Sequence, residues 1–170
     1  MGGRIRKYLT LLMLLSLPLA LKGQTLNKEL IKIGKLDFHS TKEKIVAALG
    51  EPNEITEPNY ECGFLSSEEQ GKPFFKLSYE HYHFVGNDED GYLIEELYFN
   101  QGVSISYNGV NIDKDITLDG LIEVFGMELF GSFHDTSTDS KLIRFDMSDS
   151  GVIFYLTNGK LSKMEYWSPC

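Results

Sequence analysis

Two histidines, His81 and His83, have the spacing that most resembles a metal site. Side chains two positions apart on a strand project from one face, as two ligands of a zinc or iron site do. No third ligand stands at a recognisable spacing from them. The aromatic neighbours Tyr79, Tyr82 and Phe84 favour two partly buried histidines instead. We therefore predict no metal ion and no other cofactor.

The acidic segments offer no clearer chemistry. Asn87 to Gly91 reads NDEDG, but aligning Gly91 with the EF-hand glycine puts Gly86 and Leu97 at ligand positions, so an acidic turn is predicted. Glu95-Glu96 is a carboxylate pair, yet adjacent strand residues are expected on opposite faces. The sequence has no G-x-S-x-G motif and no phosphate-binding loop. We predict that the protein is not an enzyme, with a secreted hydrolase as the remote alternative.

Cys62 and Cys170 are the only cysteines. In an exported chain an even number of cysteines favours a disulfide bond, and we predict that these two pair. The alternative is two free thiols. A bond would lower the mass of the protein purified without reductant by about two daltons, whereas two alkylatable thiols would exclude it.

The first residues resemble a secretory signal peptide. Arg4, Arg6 and Lys7 precede an uncharged apolar run from Leu9 to Leu21, which is too short to span a bilayer. We expect cleavage after residue 23 and a periplasmic or secreted protein without a membrane span. Gln24 stands where a lipidated cysteine would be needed, so no lipid anchor is expected.

The charge balance restricts the class of partner. The chain has 16 basic and 25 acidic residues and a net charge of −9. Loss of residues 1–23, which carry four basic residues and no acid, makes the net charge −13. Nucleic acid is therefore not expected as a partner, because binding a polyanion depends on lysine and arginine. The acidity suits either simple solubility or a basic protein partner.

The elements that must position these residues begin with a short helix between Ser40 and Pro52. Ser40 and Glu43 fit a capping box, in which each side chain accepts a hydrogen bond from the backbone of the other residue. Gly50 suits the left-handed conformation that ends a helix, and Pro52 cannot continue one. So short a helix needs a sheet to pack against.

The chain repeats this unit. Thr41, Ile45, Val46, Leu49 and Gly50 correspond, 76 residues later, to Thr117, Leu121, Ile122, Phe125 and Gly126. A later pattern recurs 68 residues on, with Gly91, Leu93, Tyr98 and Phe99 matched by Gly159, Leu161, Tyr166 and Trp167. We divide the chain into a signal peptide (1–23), repeat unit 1 (24–105) and repeat unit 2 (106–170), and expect the two units to pack as one domain.

Turn dipeptides place the strands. Asp90-Gly91, Asn108-Gly109 and Asn158-Gly159 suit type I′ hairpin turns. The predicted hairpins pair 79–85 with 92–99, 103–107 with 110–112, and 152–156 with 160–167, and further strands are expected at 74–78 and 141–147. The predicted fold class is α+β, with two tandem helix-plus-antiparallel-meander repeats and the helices on one face of the sheet.

Strand parity predicts the face that remains open. Odd-numbered residues form the apolar set, which comprises Phe75, Leu77, Tyr79, Leu93, Leu97, Phe99, Ile143, Phe145 and Met147. The last strand does not settle its own register, because Lys163 and Glu165 share its core parity. Tyrosines among charges on a rigid sheet can anchor and orient a protein partner. The candidate partner-binding residues are Lys76, Glu80, Tyr82, Asp88, Glu89, Asp90, Glu96 and Tyr98.

The spacing Thr41, Ile45, Leu49, Gly50, Pro52 resembles the helix motif of the outer-membrane assembly lipoproteins of the SmpA/OmlA type, and the tandem repeat is similar to the β-lactamase inhibitor protein fold. These resemblances imply a non-enzymatic binder working outside the inner membrane. We expect an immunity or inhibitor protein that occludes a toxic or hydrolytic partner. The alternative is an envelope scaffold accessory to an outer-membrane complex.

Overall fold

The computed structural model describes residues 26–58, 71–126 and 140–169. About half of these residues lie in β-strands and 16% lie in helices. The predicted α+β fold is wrong. The strands form two antiparallel sheets, and the two α-helices in the described residues are eight residues long each. Neither of these helices is long and apolar enough to cross a membrane.

The elements follow one another along the chain, beginning with a single 3₁₀ turn. They are the 3₁₀ turn (Lys28–Leu30), β1 (Ile31–Ile33), β2 (Leu36–Asp37), β3 (His39–Ser40), the first helix (Lys42–Leu49), β4 (Glu54–Thr56), β5 (Phe75–Ser78), β6 (Tyr82–Asn87), β7 (Gly91–Tyr98), β8 (Ser104–Tyr107), β9 (Val110–Asp113), the second helix (Leu118–Phe125), β10 (Ser140–Arg144), β11 (Gly151–Thr157) and β12 (Lys160–Trp167).

The large sheet has the strand order β10-β11-β12-β7-β6-β5-β4, and β3 also pairs with β7. It contains the two predicted meanders, β5-β6-β7 and β10-β11-β12, which meet where β12 pairs with β7. Two predicted turns have positive φ at both central residues, as a type I′ turn requires. These φ values are 53° and 75° at Asn158 and Gly159, and 48° and 83° at Asn108 and Gly109.

The turn between β6 and β7 differs from the prediction. Asn87 pairs with Gly91, so three residues connect the strands rather than two. The Asn87 side chain accepts hydrogen bonds from the backbone N–H groups of Glu89 (2.9 Å) and Asp90 (2.7 Å). Of the predicted pair Asp90-Gly91, only Gly91 has positive φ, at 87°. An asparagine side chain thus shapes this turn, and a left-handed glycine ends it.

The small sheet has the order β2-β1-β8-β9 and was only half predicted. The hairpin of β8 and β9 matches the prediction, whereas β1 and β2 are two or three residues long. The boundary drawn between residues 105 and 106 falls inside β8. Five side chains of this sheet belong to the core that it shares with the large sheet, and they are Ile31, Ile33, Leu36, Ile105 and Ile112.

The helices contribute less to the core than an α+β fold requires. The first helix buries Ile45, and the second buries Leu121 and Phe125. Phe125 packs against Phe154 of β11 with 5.4 Å between ring centroids. The layer opposite the large sheet is therefore formed in large part by the small sheet rather than by helices.

The helix ends follow the sequence closely, with one correction. Thr41, not Ser40, caps the first helix, and its side chain accepts a hydrogen bond from the backbone N–H of Lys44. Ser40 instead belongs to β3, where its hydroxyl donates to the carbonyl of Asp37 (3.1 Å). Thr117, the counterpart of Thr41 in the second unit, caps the second helix.

Two β-bulges change the predicted parity. In β7, His83 pairs with Glu96 but Phe84 pairs with Ile94, so Glu95 is an extra residue. Leu93 was assigned to the core, but the bulge puts Tyr92 and Ile94 at the fully buried positions, and Leu93 is only partly buried against the core. A similar shift lies between Tyr155 and Leu156 of β11, with Ser162 of β12 as the extra residue.

Met147, also assigned to the core, is 97% exposed, because β10 ends at Arg144 and Met147 lies in the turn that follows. The other odd-numbered residues of the apolar set are buried or pack against the core. The predicted disulfide of Cys62 and Cys170, and the predicted signal peptide of residues 1–23, lie outside the described residues.

Candidate functional site

The outer face of the large sheet, opposite the shared core, carries a cluster of charged and aromatic side chains across five strands. We call this cluster the charged patch. It consists of Lys76 on β5, His83 on β6, Glu95, Glu96 and Tyr98 on β7, Tyr155 on β11, and Lys163 and Glu165 on β12. The members are mostly half-buried, because they cover one another and the pleated backbone beneath them.

Strand register explains why these side chains meet. One row runs across the sheet from Tyr155 through Lys163 to Tyr98, and each neighbouring pair stands directly opposite. The next row places Glu165 opposite Glu96, and Glu96 opposite His83. Directly opposed side chains on one sheet face lie close enough to interact. The meeting of β7 and β12 therefore builds the patch from both halves of the chain.

Glu96 is the centre of the contacts. Its Oε2 atom lies 2.8 Å from Nδ1 of His83, and its Oε1 atom lies 3.4 Å from Nζ of Lys163. Lys163 also donates to Glu165 at 2.6 Å, and its ammonium group lies 4.4 Å from the centroid of the Tyr155 ring. A cation over an aromatic face is attracted by the ring quadrupole. Lys163 is thus held between two carboxylates and an aromatic ring.

The bulge in β7 overturns one prediction made from strand geometry. Glu95 and Glu96 were expected on opposite faces, but the extra residue at Glu95 lets both carboxylates face Lys76. The Nζ atom of Lys76 lies 2.9 Å from Glu95 and 4.0 Å from Glu96. The two adjacent carboxylates therefore share one lysine on the same face of the sheet.

The electrostatics of the patch favour ionised side chains. Burial by itself raises the pKa of Glu96, but the hydrogen bond with His83 and the charges of Lys163 and Lys76 outweigh it, so the pKa of Glu96 is lowered. Burial likewise opposes the charge of Lys163, yet Glu165 and Glu96 raise its pKa. A glutamate with a lowered pKa is a poor general acid, so these groups suit binding better than proton transfer.

The structure brings together three of the candidate binding residues. Lys76, Glu96 and Tyr98 all belong to the charged patch. The hydroxyl of Tyr98 donates to Glu96 at 3.3 Å, and its ring meets the His83 ring edge-on at 5.9 Å between centroids. Tyr98 is 39% exposed, so it is the large aromatic side chain of the patch that water reaches most easily.

Tyr82, which was also predicted on the open face, lies on the other side of the sheet. It stands opposite Leu97, and its ring is stacked with the ring of Phe84, which is fully buried. Tyr82 packs against the core, and burial raises the pKa of its phenol. Parity failed here because the residues of β6 that face the core are even-numbered.

The four acidic candidates in turns lie outside the charged patch, in two different turns. Glu80 is in the turn between β5 and β6, close to His81. The other three form the turn between β6 and β7, at the opposite end of that hairpin. The length of β7 separates that turn from Tyr98 by roughly 25 Å. Ion pairs hold the turn, and they join Asp88 to Lys42 (4.0 Å), Glu89 to Lys72 (4.0 Å), and Asp90 to Lys72.

The two histidines considered as metal ligands have different partners. The ring of His83 binds Glu96, whereas the ring of His81 lies 2.9 Å from the side-chain nitrogen of Asn100. Within the described residues, no group of three or more histidine, cysteine or acidic side chains is arranged to hold a metal ion.

Sequence reasoning missed the half of the patch that comes from β11 and β12. Ile94 and Leu97 in β7 and Leu161 and Met164 in β12 are all buried, and each pair is three residues apart. In a regular strand, core positions are two residues apart, because side chains alternate between the two faces. A step of three residues between core positions therefore indicates a bulge. That signal places Lys163 on the outer face. Comparison with protein-family models, with curated proteins and with solved structures found no match to this chain.

Proposed function

We propose that the protein is an exported, non-enzymatic binding module of the immunity or inhibitor class, and that the charged patch is where its protein partner docks. The observation that carries this proposal is the pre-organised network around Glu96. Its ion pairs and ring contacts fix the side chains before any partner arrives. A surface whose side chains are already ordered loses less conformational entropy on binding.

Tyr98 is suited to anchor the partner. Tyrosine is enriched among the residues that dominate binding energies, because it buries a large area with few rotatable bonds. Tyr98 lies at the edge of the charged network and is 39% exposed. The surrounding charges would orient the partner and disfavour proteins whose surface charge does not complement the patch.

Charge complementarity favours a basic partner. The patch has three carboxylates, Glu95, Glu96 and Glu165, against the two ammonium groups of Lys76 and Lys163. The whole chain is also acidic, with a net charge of −9. Long-range attraction would therefore speed the encounter with a basic protein surface.

Affinity capture with matched variants tests the proposal. The wild-type protein and the variants Tyr98→Ala and Val110→Ala are immobilised and exposed to the periplasmic or secreted fraction of the source cells. Val110 is the control, because it is an exposed apolar residue on β9 of the small sheet. We expect the wild type and Val110→Ala to retain a basic protein. Tyr98→Ala should bind that protein more weakly by more than about 1 kcal/mol, or not retain it at all.

The identified partner is then titrated against the purified protein at low and high salt. Association should slow as salt screens the attraction between an acidic and a basic surface. Equal capture by all three proteins, or salt-independent association, would contradict docking on the charged patch.

A further inference from the structure

A second site lies away from the charged patch, where the edge of β7 changes its partner strand. β3 pairs with the first half of β7 through His39 and Leu93, and β12 pairs with the second half through Glu165 and Glu96. A recess of about 520 Å³ opens at this seam, and His39, Leu93 and Tyr166 line one of its walls. Sites for small ligands commonly enclose about 300 to 1,000 Å³.

A second wall is fixed by backbone hydrogen bonds. It consists of residues 26–29 and the turn between β10 and β11. The backbone N–H of Leu26 donates to the carbonyl of Arg144 (3.1 Å), and the N–H of Asp146 donates to the carbonyl of Leu26 (3.0 Å). These bonds tie the two segments together, so the wall exists without a ligand.

The floor is aromatic and closely packed. Phe38 and Phe145 meet edge-to-face with 5.3 Å between ring centroids, and both are almost fully buried. Tyr166 stacks on Phe145 at 6.3 Å. Aromatic rings offer favourable edge and face contacts to a further ring placed above them.

Met147 stands at the mouth of the recess in an unusual conformation. Its φ is 51°, a left-handed value that is costly for a bulky side chain, and the residue is 97% exposed. The turn that holds it is closed by a hydrogen bond from Phe145 N–H to the carbonyl of Ser150 (2.9 Å). A flexible thioether beside an apolar recess is well suited to adapt to an apolar ligand.

The charges around the mouth favour a cation. Glu29 and Asp146 contribute two carboxylates, Lys28 contributes one ammonium group, and His39 contributes an imidazole. All four residues are exposed, so a charged ligand could approach them without losing all of its hydration.

We propose that this recess binds a small aromatic amine. The ring lies against Leu93 and Tyr166, the half-buried apolar side chains of the recess, under the side chain of Met147, and the ammonium group lies beside Glu29 and Asp146. This site is independent of the charged patch, so its test does not depend on the protein partner.

Tryptamine and indole-3-acetate are the probes, because they share a ring system and carry opposite charges. Each is titrated into the ¹⁵N-labelled protein while amide shifts are followed. We expect saturable shifts at Leu93, Phe145 and Tyr166 with tryptamine, and at least three-fold weaker binding of indole-3-acetate. Absence of saturable shifts at these amides, or equal binding of the two probes, would overturn the proposal.

Matched charge variants sharpen the test. Asp146→Asn should weaken tryptamine binding about two- to five-fold, the range for one partly exposed charge pair. Asp149→Asn is the control, since Asp149 lies on the same turn but faces Arg144 at 4.0 Å. Lys28→Gln should act in the opposite direction and strengthen tryptamine binding. Equal effects of Asp146→Asn and Asp149→Asn would exclude the recess as the site.

Truncation of the methionine tests the contact with the ring. Met147→Ala should lower the affinity for both probes several-fold. It should not alter the melting temperature, because Met147 is almost fully exposed in the folded protein. Unchanged affinity for both probes in this variant would contradict the proposed position of the ring.

Discussion

Glu96 shows how a single carboxylate can organise a sheet surface. It contacts His83 on β6, Lys163 on β12 and Lys76 on β5. Burial raises its pKa, and these partners lower the pKa by more, so the carboxylate keeps its charge at lower pH than a free glutamate. The lowered pKa also means that ionised Glu96 stabilises the fold, because the folded protein favours the ionised form more strongly than the unfolded chain does.

We therefore predict that Glu96→Gln flattens the pH dependence of stability in acid. The contribution of Glu96 is fully present above the ordinary glutamate pKa of 4.5, and it is lost as the pH falls through the lower folded value. Urea unfolding of both proteins at about pH 7 and about pH 3 measures this. The wild type should lose more free energy of unfolding than Glu96→Gln does over that interval. An equal loss would show that Glu96 is not stabilised in the folded protein.

Tyr82 and Tyr98 are separated by the sheet, and truncation should distinguish them. Tyr82→Ala removes a ring packed against Phe84 and should lower the free energy of unfolding by about 1 to 3 kcal/mol. Tyr98→Ala removes a more exposed ring and should cost less than about 1 kcal/mol. Chemical denaturation at neutral pH measures both. A larger loss for Tyr98→Ala would invert the assignment of the two faces.

At the scale of elements, the turn glycines were predictable, the cap of the first helix was misplaced by one residue, and bulges were the main source of error. Asn-Gly dipeptides predict two hairpins correctly because few other sequences tolerate positive φ at both central positions. Parity fails in β7 before Glu95, because the extra residue there puts Tyr92 and Ile94 at the buried positions, whereas Leu97 and Phe99 after it are buried as predicted. β1 and β2 are too short for any period to be read, so the small sheet was out of reach of sequence reasoning.

The candidate site was predictable to the same degree. Lys76, Glu96 and Tyr98 were placed on one face correctly because their strands keep the expected alternation there. Lys163 and Glu165 were missed, since their strand contains its own bulge next to Ser162. No sequence pattern indicated that β12 would pair with β7, which is the pairing that assembles the patch.

Gly91 and Gly159 both have positive φ, as predicted, but their surroundings differ. A side chain at Gly91 would meet the ring of His39 and the carbonyl of Ser40 at 3.2 Å, whereas nothing lies within 4 Å at Gly159. Gly159→Val should therefore lower stability by about 1 to 3 kcal/mol through backbone strain alone, and Gly91→Val should lower it further.

Thermal unfolding of the two variants, together with Gly159→Asn, checks this difference. Asparagine tolerates the left-handed conformation, so Gly159→Asn should retain most of the stability that Gly159→Val loses. A Gly159→Val variant as unstable as Gly91→Val would mean that the contact with His39 and Ser40 has no cost.

At the scale of the whole molecule, the two sheets are joined by one continuous core. Buried side chains of the small sheet and of the large sheet belong to a single cluster, and the second helix bridges them through Phe125, which contacts both Tyr107 and Phe154. Leu26 adds a further link, because its backbone pairs with the end of β10 just before the chain enters β1. Within the part of the chain that the structure describes, neither sheet has a core of its own.

We predict that the protein unfolds in a single transition. Fluorescence of Trp167, the only tryptophan, reports on the large sheet, and hydrogen exchange of the β8 and β9 amides reports on the small sheet. Ile105→Ala removes a buried side chain of the small sheet and should lower the free energy of unfolding by about 2 to 5 kcal/mol by both measures. Val110→Ala, on the exposed surface of the neighbouring strand, should change neither. The contrary outcome is that Ile105→Ala destabilises the small sheet, as measured by hydrogen exchange, and leaves the unfolding transition of Trp167 unchanged. That outcome would show that the two sheets are separate folding units and that the charged patch does not depend on the shared core beneath it.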